Sequence, residues 1–123
     1  MYVANWDALP ETENLPNNFR VAVAGREMGV NRIRWVHPTV LPHHSHPDAE
    51  QCVVVTSGSI ELTIGDETQV LTPGDIAVIP RDVTHSGRSI KGEATFIEVF
   101  APLRIENLVG FLGEPSLPPA GGE

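Results

Sequence analysis

The chain has 123 residues, enough for one domain with its own core, and a formal net charge of −8 from 16 acidic and 8 basic side chains. That balance argues against a nucleic-acid partner, which needs a basic patch, and no apolar run approaches the length of a membrane span. The single cysteine, Cys52, excludes an intrachain disulfide, and "MYVANWDALPETENLP" has neither the basic start nor the apolar segment of a signal peptide, so a cytoplasmic protein is expected.

Residues 1–18 are polar and carry Pro10, Pro16 and Asn17-Asn18, which reads as an N-terminal arm with Trp6 as its anchor. From Phe19 the pattern becomes short β-type runs broken by turns: "FRVAVAG", "VNRIRWV", "QCVVVT", "SIELTI", "TQVLT", "DIAVIP" and "ATFIEVF". Seven such runs without a long helical period predict an all-β sandwich or barrel. Gly65-Asp66 between two runs predicts a tight hairpin, and "TPGD" at 72–75 predicts a type II turn. After Pro102, "LRIENLVGFLG" predicts one short helix ending at Gly113, followed by a Pro/Gly-rich tail. The organisation expected is an arm at 1–18, a barrel at 19–112 and a flexible tail at 113–123.

The chemistry concentrates in "LPHHSHPDAEQ", residues 41–51, which holds three of the five histidines. His44 and His46 are one residue apart, so an extended segment presents both imidazoles on one face, a start for a divalent-metal site. Surface or hydrogen-bonded histidines beside a proline are the plainer alternative for the pair alone. Downstream, His44-x-His46-x4-Gln51-x6-Gly58 and Gly74-x5-Pro80-x4-His85 follow one another in order. Together they resemble the two motifs of the cupin superfamily, G-x5-H-x-H-x3–4-E-x6-G and G-x5-P-x-G-x2-H-x3-N. The resemblance covers roughly residues 19–104. It implies a double-stranded β-helix, the cupin jelly roll, with a site inside the barrel. Pro38 stands at the first glycine position, Asp82 at the second-motif glycine and Ser89 at the final asparagine, none of them a ligand position. Asp82 is tolerable there because aspartate visits the left-handed region.

For the fourth ligand the choice is Glu50 or Gln51, because strand neighbours face opposite ways. The spacing to Gly58 favours Gln51, with Val53 and Val55 as inward companions; Glu50 would instead turn Cys52, Val54 and Thr56 inward. The implied metal set is His44, His46, Gln51 and His85, with His43 at the rim or facing away and His37 a surface or hydrogen-bonded residue. Three imidazoles and a carboxamide oxygen are neutral and leave the charge of a divalent ion available for Lewis-acid work. Zn, Ni, Mn, Co and Fe all suit such donors.

A second constellation is "FIEVFAPLR", residues 96–104. Phe96, Glu98 and Phe100 alternate onto one strand face, and a carboxylate between two rings needs a polar cavity or a cation. Either Glu98 and Arg104 form an ion pair at the barrel mouth, or they act as general acid/base and substrate clamp. The segment is similar to the ending "DVFxPxR" of the uronate-linearising cupins of pectin and alginate degradation, the KdgF type. That resemblance implies a His, His, Gln, His metal set and catalytic roles for Glu98, Phe100 and Arg104. Glu98 stands where that family has Asp. The activity implied is an isomerase or lyase that opens and tautomerises unsaturated uronates, a small oxygen-rich substrate. An Fe(II)-type dioxygenase, a polyketide-cyclase-like cupin and a non-catalytic binding or sensor module are the competing readings. A homodimer is expected, because unpaired sheet edges are a liability, with the arm and "LVGFLG" as interface elements.

Overall fold

A computed structural model describes residues 3–102. The helix expected after Pro102, Arg104, "LVGFLG" and the tail lie outside the described residues.

The fold is all-β, as expected. The order is a short 3-10 turn (Trp6–Ala8), then β1 (Thr12–Leu15), β2 (Asn18–Ala24), β3 (Gly29–Val36), β4 (Val40–His44) and β5 (Glu50–Ser57). It continues through β6 (Ile60–Ile64), β7 (Glu67–Leu71), β8 (Ile76–Ile79), β9 (His85–Ser89) and β10 (Glu93–Ala101). The strands form a six-stranded antiparallel sheet in the order β1-β2-β3-β10-β5-β8 and a four-stranded one in the order β4-β9-β6-β7. No helix among the described residues is long and apolar enough to cross a membrane.

The seven runs read from the sequence correspond to β2, β3, β5, β6, β7, β8 and β10, and buried and wetter positions alternate most clearly along β3 and β5. In β3 the buried residues are Gly29, Asn31, Ile33 and Trp35, with Arg32 and Arg34 on the other face. The inner faces of the two sheets meet in a core of Ile33, Trp35, Val53, Val55, Ile60, Leu62, Leu71, Ile79 and Phe96. Trp35 and Phe96 pack edge to face, 5.0 Å between centroids.

Three strands lack an apolar run in the sequence: β1, β4 and β9. The N-terminal segment is therefore more than an arm, because β1 extends the six-stranded sheet by pairing with β2. Arg34 fastens it, donating to Glu11 at 2.7 Å while its guanidinium lies 4.3 Å from the Phe19 ring centre. Arg32 bridges to Asp7 at 3.2 Å. The Glu11 carboxyl is held below its usual range, chiefly by the hydrogen bond from Arg34.

The turns follow their residues. Gly65-Asp66 closes a two-residue hairpin between β6 and β7, with Gly65 at φ 61° supplying the positive dihedral of a II′ turn. At 72–75 the Asp75 N–H donates to Thr72 O at 2.9 Å. Asp82 takes φ 65°, the left-handed conformation its motif position calls for. Gly58 is fixed by space as well: at φ 69°, a Cβ there would lie 2.4 Å from Glu93 O.

Candidate metal centre

His44 ends β4 and His85 begins β9, and the two are direct cross-strand partners. His46 lies two residues past β4, on a loop pinned by the Asp82 N–H, which donates to His46 O at 3.0 Å. The fold thus brings both sequence motifs to one place. Ring centroids are 4.1 Å apart for His44–His85, 4.8 Å for His44–His46 and 4.9 Å for His46–His85. One ring nitrogen from each lies within 4.8 Å of the others, a spacing that can hold a metal ion. His85 and His46 are buried and His44 is half-buried.

Hydrogen bonds set the tautomers. His44 Nδ1 lies 2.8 Å from Pro42 O, and His85 Nδ1 lies 3.0 Å from Val83 O. A carbonyl only accepts, so in each neutral ring Nδ1 carries the proton and Nε2 keeps its lone pair. This is the arrangement metal-ligating histidines use. The remaining two histidines stay out of the cluster. His43 is exposed, and His37, also exposed, places Nδ1 2.8 Å from Ser89 Oγ.

β5 resolves which neighbour faces inward. Gln51, Val53 and Val55 are buried, whereas Glu50 and Thr56 are exposed and Cys52 and Val54 are half-buried. Gln51 is 4 % exposed and opposite Phe100 of β10. Its Nε2 donates to Glu98 Oε2 at 2.8 Å. The other Glu98 oxygen accepts from Asn31 Nδ2 at 3.2 Å. The Gln51 carbonyl oxygen, Oε1, is buried with no hydrogen-bond partner among the described residues. A buried amide oxygen in that state costs free energy unless something electropositive meets it. The donor set therefore fits a divalent cation.

Phe100 is buried, and its ring stands edge-on to His46 at 5.5 Å between centroids. Arg20, Trp35, His44, His46, Glu98 and Phe100 line a cavity of about 110 Å³. Four other arginines among the described residues have other partners or lie exposed. Arg32 and Arg34 hold the N-terminal segment, Arg88 pairs with Glu61 at 2.8 Å, and Arg81 is exposed. Arg20, Asn18 and Asn31 escaped the sequence reading. Their signal was polar residues at alternate positions that share the inner face of β2 and β3 with Ile33 and Trp35.

The cupin domain family model matches residues 35–100, and the chain belongs to that family. It is 30% identical to quercetin 2,3-dioxygenase of Bacillus subtilis (strain 168) over 74 residues, 60% of this chain and 22% of that protein. It is 34% identical to the protein SchB of Streptomyces halstedii over 67 residues, 54% of this chain and 49% of that protein. The chain thus spans about a fifth and about half of the lengths of these relatives. Its fold is similar to that of KdgF from a Halomonas species, with a TM-score of 0.75 and 23% identity over 79% of this chain and 89% of that one.

Proposed function

We propose that the chain is a metal-dependent isomerase or lyase acting on a small oxygen-rich acid, with unsaturated uronates as the specific substrate. The observation that carries this reading is the Gln51 amide, tied through Nε2 to Glu98 and carrying a buried oxygen with no hydrogen-bond partner among the described residues. In this reading His44, His46, His85 and Gln51 hold one divalent ion, drawn from Zn, Ni, Mn, Co and Fe. A bound ion would supply Lewis-acid polarisation of a substrate oxygen.

The chain's own groups do the rest. Glu98 takes a proton from one substrate carbon or hydroxyl and returns it to another. Two amide donors fix its carboxylate in place. Phe100 and Phe96 flank it and keep the proton path away from bulk water. Arg104 retains the catalytic role implied by the resemblance of "FIEVFAPLR".

The test is a panel of unsaturated uronates offered to the metal-loaded chain, followed by loss of the unsaturated chromophore and by NMR of the product. Turnover by the native chain and its loss in Glu98→Gln is the expected result. No turnover of any uronate by a metal-loaded chain counts against the reading. The likeness to a quercetin dioxygenase favours a second reading, an oxygenase; oxygen uptake with aromatic or diketone substrates would select it.

A further inference from the structure

We infer that Arg20 is the carboxylate anchor of this cavity, so that a small acid enters with its carboxylate on the Arg20 guanidinium and its other oxygens toward His44, His46 and Glu98. The inference deepens the proposed function and rests on that reading for the reaction, though not for the binding. Asn18, Arg20 and Ala22 of β2 lie opposite Trp35, Ile33 and Asn31 of β3. Directly opposed residues share a face, so the buried positions of Trp35, Ile33 and Asn31 put Arg20 on the inner face. Arg20 accordingly lines the same cavity as His44, His46 and Glu98.

Its Nε is buried and has no hydrogen-bond partner among the described residues. No carboxylate among them pairs with its guanidinium, whereas Arg32, Arg34 and Arg88 each reach one at 3.4 Å or less. The inward-facing carboxylate nearby, Glu98, already accepts from Asn31 and Gln51. Asn18 is also committed, donating to Asn14 Oδ1 at 3.0 Å and accepting from Trp35 Nε1 at 2.9 Å. This wall therefore offers a positive fork beside apolar Ile33, Trp35 and Phe96.

A guanidinium stays charged at any physiological pH, and a charge turned from water into a cavity calls for a counter-charge. Its planar fork takes a carboxylate through two parallel hydrogen bonds. At about 110 Å³ the cavity is below the size of a drug-sized ligand site, which suits a small ligand.

The test is binding, read separately from turnover. Saturation-transfer NMR and calorimetry on the full-length, metal-loaded chain compare glucuronate, glucose and glucose 6-phosphate. Native chain should bind glucuronate about tenfold or more tighter than glucose. Arg20→Gln should erase that advantage while leaving metal content and glucose binding unchanged. Arg20→Lys should retain only part of it, and carries the comparison if the Gln variant does not fold. The inference is overturned if native chain shows no preference for the acid, including no binding of either sugar, or if it prefers the phosphate ester. It is equally overturned if Arg20→Gln keeps the preference or if Arg104→Gln alone abolishes it. A chain that selects glucuronate through Arg20 yet turns over no uronate keeps the anchor and discards the isomerase. A chain that turns over uronates with Arg20→Gln at native KM does the reverse.

Discussion

Gln51 and Glu98, on adjacent strands β5 and β10, are joined by one hydrogen bond in which the Gln51 amide donates to the carboxylate at 2.8 Å. Glu98 also accepts from Asn31, so both its oxygens are in use. Glutamine at position 98 could accept at one oxygen only, and its NH₂ would face a second amide donor. Glu98→Gln is therefore expected to cost about 1–3 kcal/mol of stability. Loosening Gln51 should also weaken metal binding by about 10- to 100-fold. Denaturant melts and metal titration read both effects. Native values for both would show that this link orients nothing.

One divalent ion per chain is expected, with His85→Ala losing it. His85 is 1 % exposed, so the variant also opens a cavity, and His85→Gln offers a bulkier control. Elemental analysis of untagged protein is the measurement. Full metal occupancy in both variants would remove His85 from the ligand set.

Gly58→Ala should destabilise by about 2 kcal/mol or more. Position 58 combines φ 69° with a backbone oxygen 2.4 Å from where the Cβ would stand. A thermal melt within a degree of the native one would contradict that geometry.

The Glu11–Arg34 pair ties acid pH to the attachment of β1. The folded-state pKa of Glu11 is lowered, chiefly by its hydrogen bond with Arg34. A depressed carboxylate contributes stability that is complete above its ordinary value and lost as pH falls through the folded value. Glu11→Gln should thus be less stable than native chain by about 0.2–1 kcal/mol at neutral pH. The difference should vanish in acid, below the folded value. A gap that stays constant from pH 7 down to about pH 3, well below the ordinary Glu range, would assign the effect to packing instead.

A homodimer is the expected assembly. β8 is an edge strand carrying Ile76 and Val78, which are 65% and 55% exposed. Edges of this kind invite pairing unless covered. Light scattering at tens of micromolar should return twice the chain mass, and Val78→Lys should shift it toward one. A monomer mass for the native chain would dismiss the assembly.

Much of the fold was legible because apolar alternation is a local signal. "VNRIRWV" and "ATFIEVF" place their rings inward wherever the strands lie, and Gly65-Asp66 sets a hairpin from its own dihedrals. The histidine motifs were legible through their resemblance to the two cupin motifs, with the one-residue gap between His44 and His46 as the local signal. β9 was not legible. "HSGRS" buries His85, Gly87 and Ser89, polar or side-chain-free residues that no hydropathy pattern marks as inward. Gly87 is needed because Trp35 leaves no room, with a Cβ there 2.9 Å from the indole ring.

By itself the sequence determined the strand content and the turn positions, because each follows from residues close in the chain, and the resemblance to the cupin motifs supplied the candidate donors His44, His46, Gln51 and His85. Only the tertiary structure decided that His44 faces His85, that Gln51 spends its NH₂ on Glu98, and that Arg20 rather than Arg32 or Arg34 lines the cavity. Those relations join residues 41, 47 and more positions apart, or depend on which face of β2 and β3 turns inward. Pairing register, set by the packing of two whole sheets, fixes them, and no local pattern encodes it.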